Sequence, residues 1–222
     1  MKLTHRSAIV IITVTACLAI ACAGSAQRAV SQQGAPAPVA ANGAGYEHVR
    51  TATARFQDLN VALKEGYVRD PTNMCVTAPM EGAPKQLGAM GVHYFRPDLL
   101  GITAQAPRVA GTGTHTDFSS PAVLIYEPQA DGRMMLVAIE NLVWADAWRA
   151  KSKELPIFEG NEYYRMVDNP VTPDVDEAHG FMPHFELHMW LYKANPNGMF
   201  APFNPTVTCD HQQPAGGAIG QR

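Results

Sequence analysis

The chain has 222 residues, a formal net charge of −3 and an apolar content of 46%. It carries no cluster of Lys or Arg, which argues against a nucleic-acid partner. Past the N-terminus no apolar run is long enough to span a bilayer, so contact with a membrane is expected only through the N-terminal signal or a lipid anchor.

Met1-Lys2-Leu3-Thr4-His5-Arg6 is a short basic segment, and a continuous apolar run follows from Ala8 to Ala21. That run is too short for a stable transmembrane helix and suits the core of a signal sequence covering residues 1–26. Two processing routes are open. Ala19-Ile20-Ala21-Cys22 reads as a lipobox that would lipidate Cys22, although Leu is more usual where Ala19 stands. Cleavage after Ala26 would instead release a soluble exported protein. Residues 27–45 consist largely of Gln, Ala, Pro, Gly and Ser and have little to bury, so they are expected to form a flexible linker. A linker directly after a Cys suits a lipoprotein held in the periplasm or at the outer membrane. A single domain is expected over residues 46–211, long enough to bury a core, with a disordered tail at 212–222.

Two of the four Cys, Cys17 and Cys22, lie in the export signal, which leaves Cys75 and Cys209 for the domain. An even pair in an oxidising compartment is expected to form a disulfide. In the chain-entropy model a loop of that length would stabilise the fold by ~4–5 kcal/mol. Two free thiols are the alternative.

The domain opens with helical spacing. Val49, Ala52, Phe56, Leu59 and Leu63 recur at three- and four-residue steps, with Gly66 placed to end a helix over residues 47–65. Residues 70–88 are rich in Pro, Gly and Asn and read as irregular. Four segments have strand character: 90–95, 122–127, 134–143 and 184–193. The second and third are joined by a Pro128–Arg133 turn, which predicts an antiparallel hairpin. A short helix is expected over 145–154, a long acidic surface excursion over 159–180, and an extended edge segment over 199–209. Strands grouped without alternating helices predict an α+β fold: a mainly antiparallel sheet, barrel-like closure being one form open to it, packed by the N-terminal helix.

The segment Pro183-His-Phe-Glu-Leu-His-Met-Trp-Leu-Tyr192 carries the most chemistry. Read as a strand, Phe185, Leu187, Met189 and Leu191 form one apolar face, and His184, Glu186, His188 and Trp190 form the other. A solvated edge strand would explain a polar face, but such faces favour Lys, Glu, Thr and Arg. Two imidazoles, a carboxylate and an indole look instead like the lining of a pocket. On a regular strand, residues four apart lie ~13 Å apart, so His184 and His188 would share one ion only across a bulge or bend. As a helix they would be one turn apart and well placed. Two other apolar strands hold one polar group each: His93, which alone would be an ordinary core histidine, and Glu140, which is costly to bury unless paired or metal-bound. Three His and one or two Glu match the ligand set of Zn²⁺, Fe²⁺, Mn²⁺ or Cu²⁺.

The strings Met90-Gly-Val-His-Tyr94, Val137-Ala-Ile-Glu140, His184-Phe-Glu-Leu-His-Met-Trp190 and Asn195-Pro-Asn-Gly-Met-Phe-Ala-Pro-Phe-Asn-Pro-Thr-Val-Thr-Cys209 resemble a group of exported bacterial proteins, over most of the domain. That resemblance brings no reaction with it. The His-bearing strands are also distantly similar to the metal site of cupins, which joins three His to one Glu. The cupin spacing of His-x-His followed by Glu is absent here.

The sequence therefore points to an exported α+β domain with a divalent transition-metal centre. Its expected ligands are His93, Glu140, His184 and His188, with Glu186 as a spare carboxylate for general-base catalysis. Trp190, Tyr94 and His115, the last in the polar loop Gly113-Thr-His-Thr-Asp117, are expected to face a small-molecule or polymer ligand. A metal-dependent hydrolase or oxygenase would result. The rival classes are a non-catalytic envelope lipoprotein that binds a small molecule or polymer, and a protein that sequesters copper or zinc. In the enzyme reading the 159–180 excursion is expected to act as a lid. In the polymer-binding reading Trp190 and Trp144 should be exposed.

Overall fold

The apolar and alternating segments pair into one antiparallel sheet in the computed structural model, which describes residues 45–213. The expected signal sequence, the lipobox at Cys22, nearly all of the linker and the end of the C-terminal tail lie outside the described residues. Among the described residues, no helix is long and apolar enough to cross a membrane.

The sheet has seven strands: β1 (Val68–Arg69), β2 (Cys75–Thr77), β3 (Ala89–Phe95), β6 (Val123–Pro128), β7 (Met134–Trp144), β10 (Tyr164–Met166) and β11 (His184–Met189). Two small hairpins, β4 (Ile102–Ala104) with β5 (Ala110–Gly111) and β8 (Ile157–Phe158) with β9 (Asn161–Glu162), lie apart from it. The order is β1-β3-β6-β7-β11-β10, with β2 pairing β3 alongside β1, and every pairing is antiparallel. The sheet is open, with β10 at one edge and β1 and β2 at the other, so no closed barrel forms among the described residues. The β6–β7 pair is the hairpin expected from the Asp131-Gly132 turn.

Every residue of β3, β6 and β11 is buried, because both faces of the sheet are covered. One face is almost wholly apolar: Val92, Tyr94, Leu124, Tyr126, Ile139, Val143, Phe185, Leu187 and Met189 pack there with Val49, Phe56 and Ala62 from the N-terminal segment. The Tyr126 hydroxyl donates to the Phe56 carbonyl at 2.7 Å. The opposite face holds Phe95, Val123, Ile125, Ala138, Leu142, Trp144, Phe181 and Trp190, together with the buried polar groups described below. Gly91 of β3 has φ +121°, and a Cβ there would stand 2.7 Å from the Tyr126 carbonyl oxygen, so glycine lets β3 and β6 approach this closely.

Four expectations are corrected. The helix over 47–65 is broken into α1 (Glu47–Thr53), a 3₁₀ turn (Ala54–Gln57) and α2 (Leu59–Lys64). The break falls at Asp58, which adopts an extended backbone and caps α2 by accepting from the Asn60 amide at 2.9 Å. The second helix stops at Arg149. The acidic excursion is not all irregular, since it contains β9 and β10, and β10 joins the sheet beside β11. The 199–209 segment forms turns rather than a strand, touching the sheet through one bridge between Ala89 and Asn204. Cys75 and Cys209 are joined by a disulfide, Cα–Cα 5.8 Å, across 134 residues.

Candidate metal centre

Three strands contribute one side chain each to a first cluster. His93 of β3, Glu140 of β7 and His188 of β11 bring their donor atoms within 4.8 Å of one another, and all three are buried. Register explains the meeting. His188 lies opposite Glu140, Glu140 opposite Val123, and Val123 opposite Phe95, two residues from His93. Residues paired across strands, and residues two apart along one, share a face, so the three side chains point the same way.

Nε2 of His93 and Nε2 of His188 stand 3.4 and 3.6 Å from Glu140 Oε2. Both nitrogens of each ring and both oxygens of Glu140 nevertheless lack a hydrogen-bond partner. Groups that come this close without bonding to each other are aimed at a common point. Donors bound at ~2.1 Å stand ~3.0–3.4 Å apart at octahedral or tetrahedral angles, close to the separations seen.

A second cluster lies beside the first. His184 and Glu186 of β11 meet His179, which arrives from the end of the acidic segment. His184 Nε2 is 3.1 Å and His179 Nε2 3.7 Å from Glu186 Oε2. Each imidazole has an acceptor behind it: His184 Nδ1 donates to the Met182 carbonyl at 2.9 Å, and His179 Nδ1 faces Glu81 Oε1 at 3.2 Å. Glu186 spans the clusters, its Oε1 lying 3.8 Å from His188 Nδ1. The rings of His93 and His179 stack with centroids 5.6 Å apart.

Burial of so many polar groups costs free energy unless each finds a partner. Of the fifteen buried side-chain nitrogen and oxygen atoms without a hydrogen bond among the described residues, nine belong to these seven residues. Electrostatics follows from the crowding. Burial works against charge on His179, but the adjacent Glu81 carboxylate, with Glu186 and Glu140, pushes its pKa up to about 9. Burial would raise Glu186, yet His184, His188 and His179 together hold it well below the carboxylate range. His188 is pushed down, chiefly by burial, with Glu140 and Glu186 opposing. Burial raises Glu81, partly offset by His179.

The sequence-predicted residues divide as follows. His93, Glu140 and His188 come together. His184 does not join them, because β11 is a regular strand and side chains four apart on one face reach different clusters. Glu186 has imidazoles on both sides, one oxygen facing His184 and His179 and the other facing His188. Trp190 is buried, stacked on His188 at 5.9 Å between centroids and donating its indole N–H to the Ala201 carbonyl, so it presents no surface to a ligand. Trp144 is likewise buried and bonded to the Leu100 carbonyl. Tyr94 follows His93 in β3 and so lies on the other, apolar face, packed against Tyr126. His115 is tied down in its own loop by the Ser120 carbonyl at 2.7 Å.

Two members escaped the sequence reading as ligands. Glu81 ends a 3₁₀ turn (Ala78–Glu81) in the Pro/Gly-rich stretch, where no periodicity marks it. His179 adopts φ 35°, a left-handed conformation uncommon for a side-chain-bearing residue, just before Gly180 at φ 86°. Arg108 anchors that segment by pairing with Asp168 and Asp176 and donating to the Phe181 carbonyl at 2.6 Å. The acidic excursion therefore delivers a member of the site. Comparison with family models, with curated proteins and with solved structures finds no match.

Proposed function

We propose that this domain works outside the cytoplasm as a metal-dependent oxygenase or hydrolase, binding Zn²⁺, Fe²⁺, Mn²⁺ or Cu²⁺ through His93, Glu140 and His188. One observation carries the reading: three buried side chains from three strands converge with every ring nitrogen and carboxylate oxygen unbonded. Two imidazoles and one carboxylate leave coordination positions free, as catalytic sites do and closed structural sites do not. When bound, such an ion activates water or dioxygen. Exposure of 0–3% at the three ligands limits direct access to molecules of about that size. The Cys75–Cys209 bond fits an oxidising compartment, in keeping with the export signal and the likeness to exported bacterial proteins.

The same burial favours a second reading, sequestration of copper or zinc. Polymer binding finds no support at Trp144 and Trp190, which are both buried. Metal analysis of the protein purified after export tests the main reading. At least one transition-metal ion per chain is expected, lost from His93→Ala and His188→Ala, and a metal-free protein that ignores added ions would overturn it. Azide added to the Co²⁺-loaded protein then separates the two readings. A spectral shift of the bound ion marks an open position and catalysis; an inert spectrum marks sequestration.

A further inference from the structure

The second cluster has its own logic. His184 Nδ1 faces a carbonyl oxygen, which only accepts, so that nitrogen carries a proton and Nε2 is the nitrogen turned toward Glu186. Without a proton of its own, that nitrogen would meet Glu186 Oε2, 3.1 Å away and an acceptor when ionised, as a second acceptor. Two acceptors at this distance repel unless a cation or a proton sits between them. His179 repeats the pattern, with Glu81 behind Nδ1 and Nε2 turned toward the same Glu186 oxygen. An imidazole backed by a carboxylate or carbonyl, with its far nitrogen aimed at a shared point, is the outer-sphere arrangement that orients metal ligands.

We infer that His179, His184 and Glu186 form a second divalent-metal site, with Glu81 and the Met182 carbonyl as positioning groups, and that Glu186 couples it to the first. Its Oε2 faces the second site while its Oε1 backs Nδ1 of His188, whose Nε2 faces Glu140 in the first. The inference extends the reading given above and rests on it only for this coupling, since the second cluster has its own donors.

Titration of the full exported protein, stripped by chelator, with Co²⁺ alone tests the inference through the visible absorption of the bound ion. Wild type is expected to take up two equivalents. His184→Gln should keep the equivalent that His93→Gln loses, and the reverse should hold for His93→Gln. Glu81→Gln should weaken the second equivalent ~10–100-fold while leaving the first unchanged, the effect expected of an outer-sphere partner. Glu186→Gln should remove the second and weaken the first. Far-UV circular dichroism identifies any variant that fails to fold, and the wild-type stoichiometry stands without the variants. One equivalent that only the His93 variant removes would overturn the second site and spare the first. One equivalent removed by both variants would mean a single shared ion and overturn the proposal. No uptake at all would overturn the parent reading as well.

Discussion

The two faces of β11 are equally buried and chemically opposite. Phe185, Leu187 and Met189 face a continuous apolar core, while His184, Glu186 and His188 face a set of polar groups that hydrogen bonding leaves largely unsatisfied. The first face explains why the domain folds, since each fully buried side chain of this size contributes ~1.5–3 kcal/mol by leaving water. The second face works against folding in the absence of an ion, because buried ionisable groups without partners are destabilising. The apolar core and the polar clusters are thus separated by the alternation of a single strand.

The largest effect expected from breaking this division is on the apolar side. Phe185→Ala should lower the unfolding free energy by ~3–5 kcal/mol, read from urea melts, with metal content per folded chain unchanged. Metal loss in the folded variant would show that the faces are not independent.

The polar side should respond to the ion instead. Removing metal with a chelator should destabilise wild type by about 4 kcal/mol relative to protein held at a thousand times Kd. Thermal melts with and without chelator measure this. Glu140→Gln should narrow that difference, and an unchanged difference would show that Glu140 holds no ion.

Alkaline titration separates the apolar core from the two His/Glu clusters by a group found only in the former. Tyr67 and Tyr126 belong to the apolar-face core, as does Tyr163, and burial raises all three phenols above their ordinary value of 10. Below pH 10 folded and unfolded chains both hold these protons. Above it the unfolded chain releases them first, so stability falls by about 1.4 kcal/mol per pH unit for each phenol that stays neutral when folded. Absorbance at 295 nm should show fewer phenolates in the folded protein than in urea. Equal absorbance at pH 11 would contradict burial of these rings.

The smallest change is at the edge of the polar face. Trp190→Phe removes the hydrogen bond to the Ala201 carbonyl and should cost about 1 kcal/mol, while His188 keeps an aromatic neighbour and metal uptake is retained.

Legibility in the sequence followed periodicity. The strict alternation of Phe185, Leu187 and Met189 with His184, Glu186 and His188 marked both faces of β11, and a carboxylate amid Val137, Ala138 and Ile139 marked Glu140 as anomalous. The partition of the ligands into two clusters was half visible. The ~13 Å span from His184 to His188 on a regular strand already argued against one shared ion. Glu81 and His179 were invisible as members of the clusters because both end irregular segments, where position is set by tertiary contacts such as those of Arg108 rather than by a repeat. The break at Asp58 was missed because the apolar spacing of Val49, Phe56, Leu59 and Leu63 runs across it. There the capping side chain outweighs helical continuity.

The disulfide has a consequence for the integrity of the centre. Glu81, His93, Glu140, His179, His184, Glu186 and His188 all fall between Cys75 and Cys209, so both clusters are enclosed in one covalent ring. The exposed residues 169–174 are where a protease would cut most readily. A single cut there opens the ring without releasing a fragment, and His179 stays tethered to the strands it must meet. Under reducing conditions the same cut leaves β3 and β7 on one piece of chain and β11 on another, held together only by the pairing and packing of the sheet.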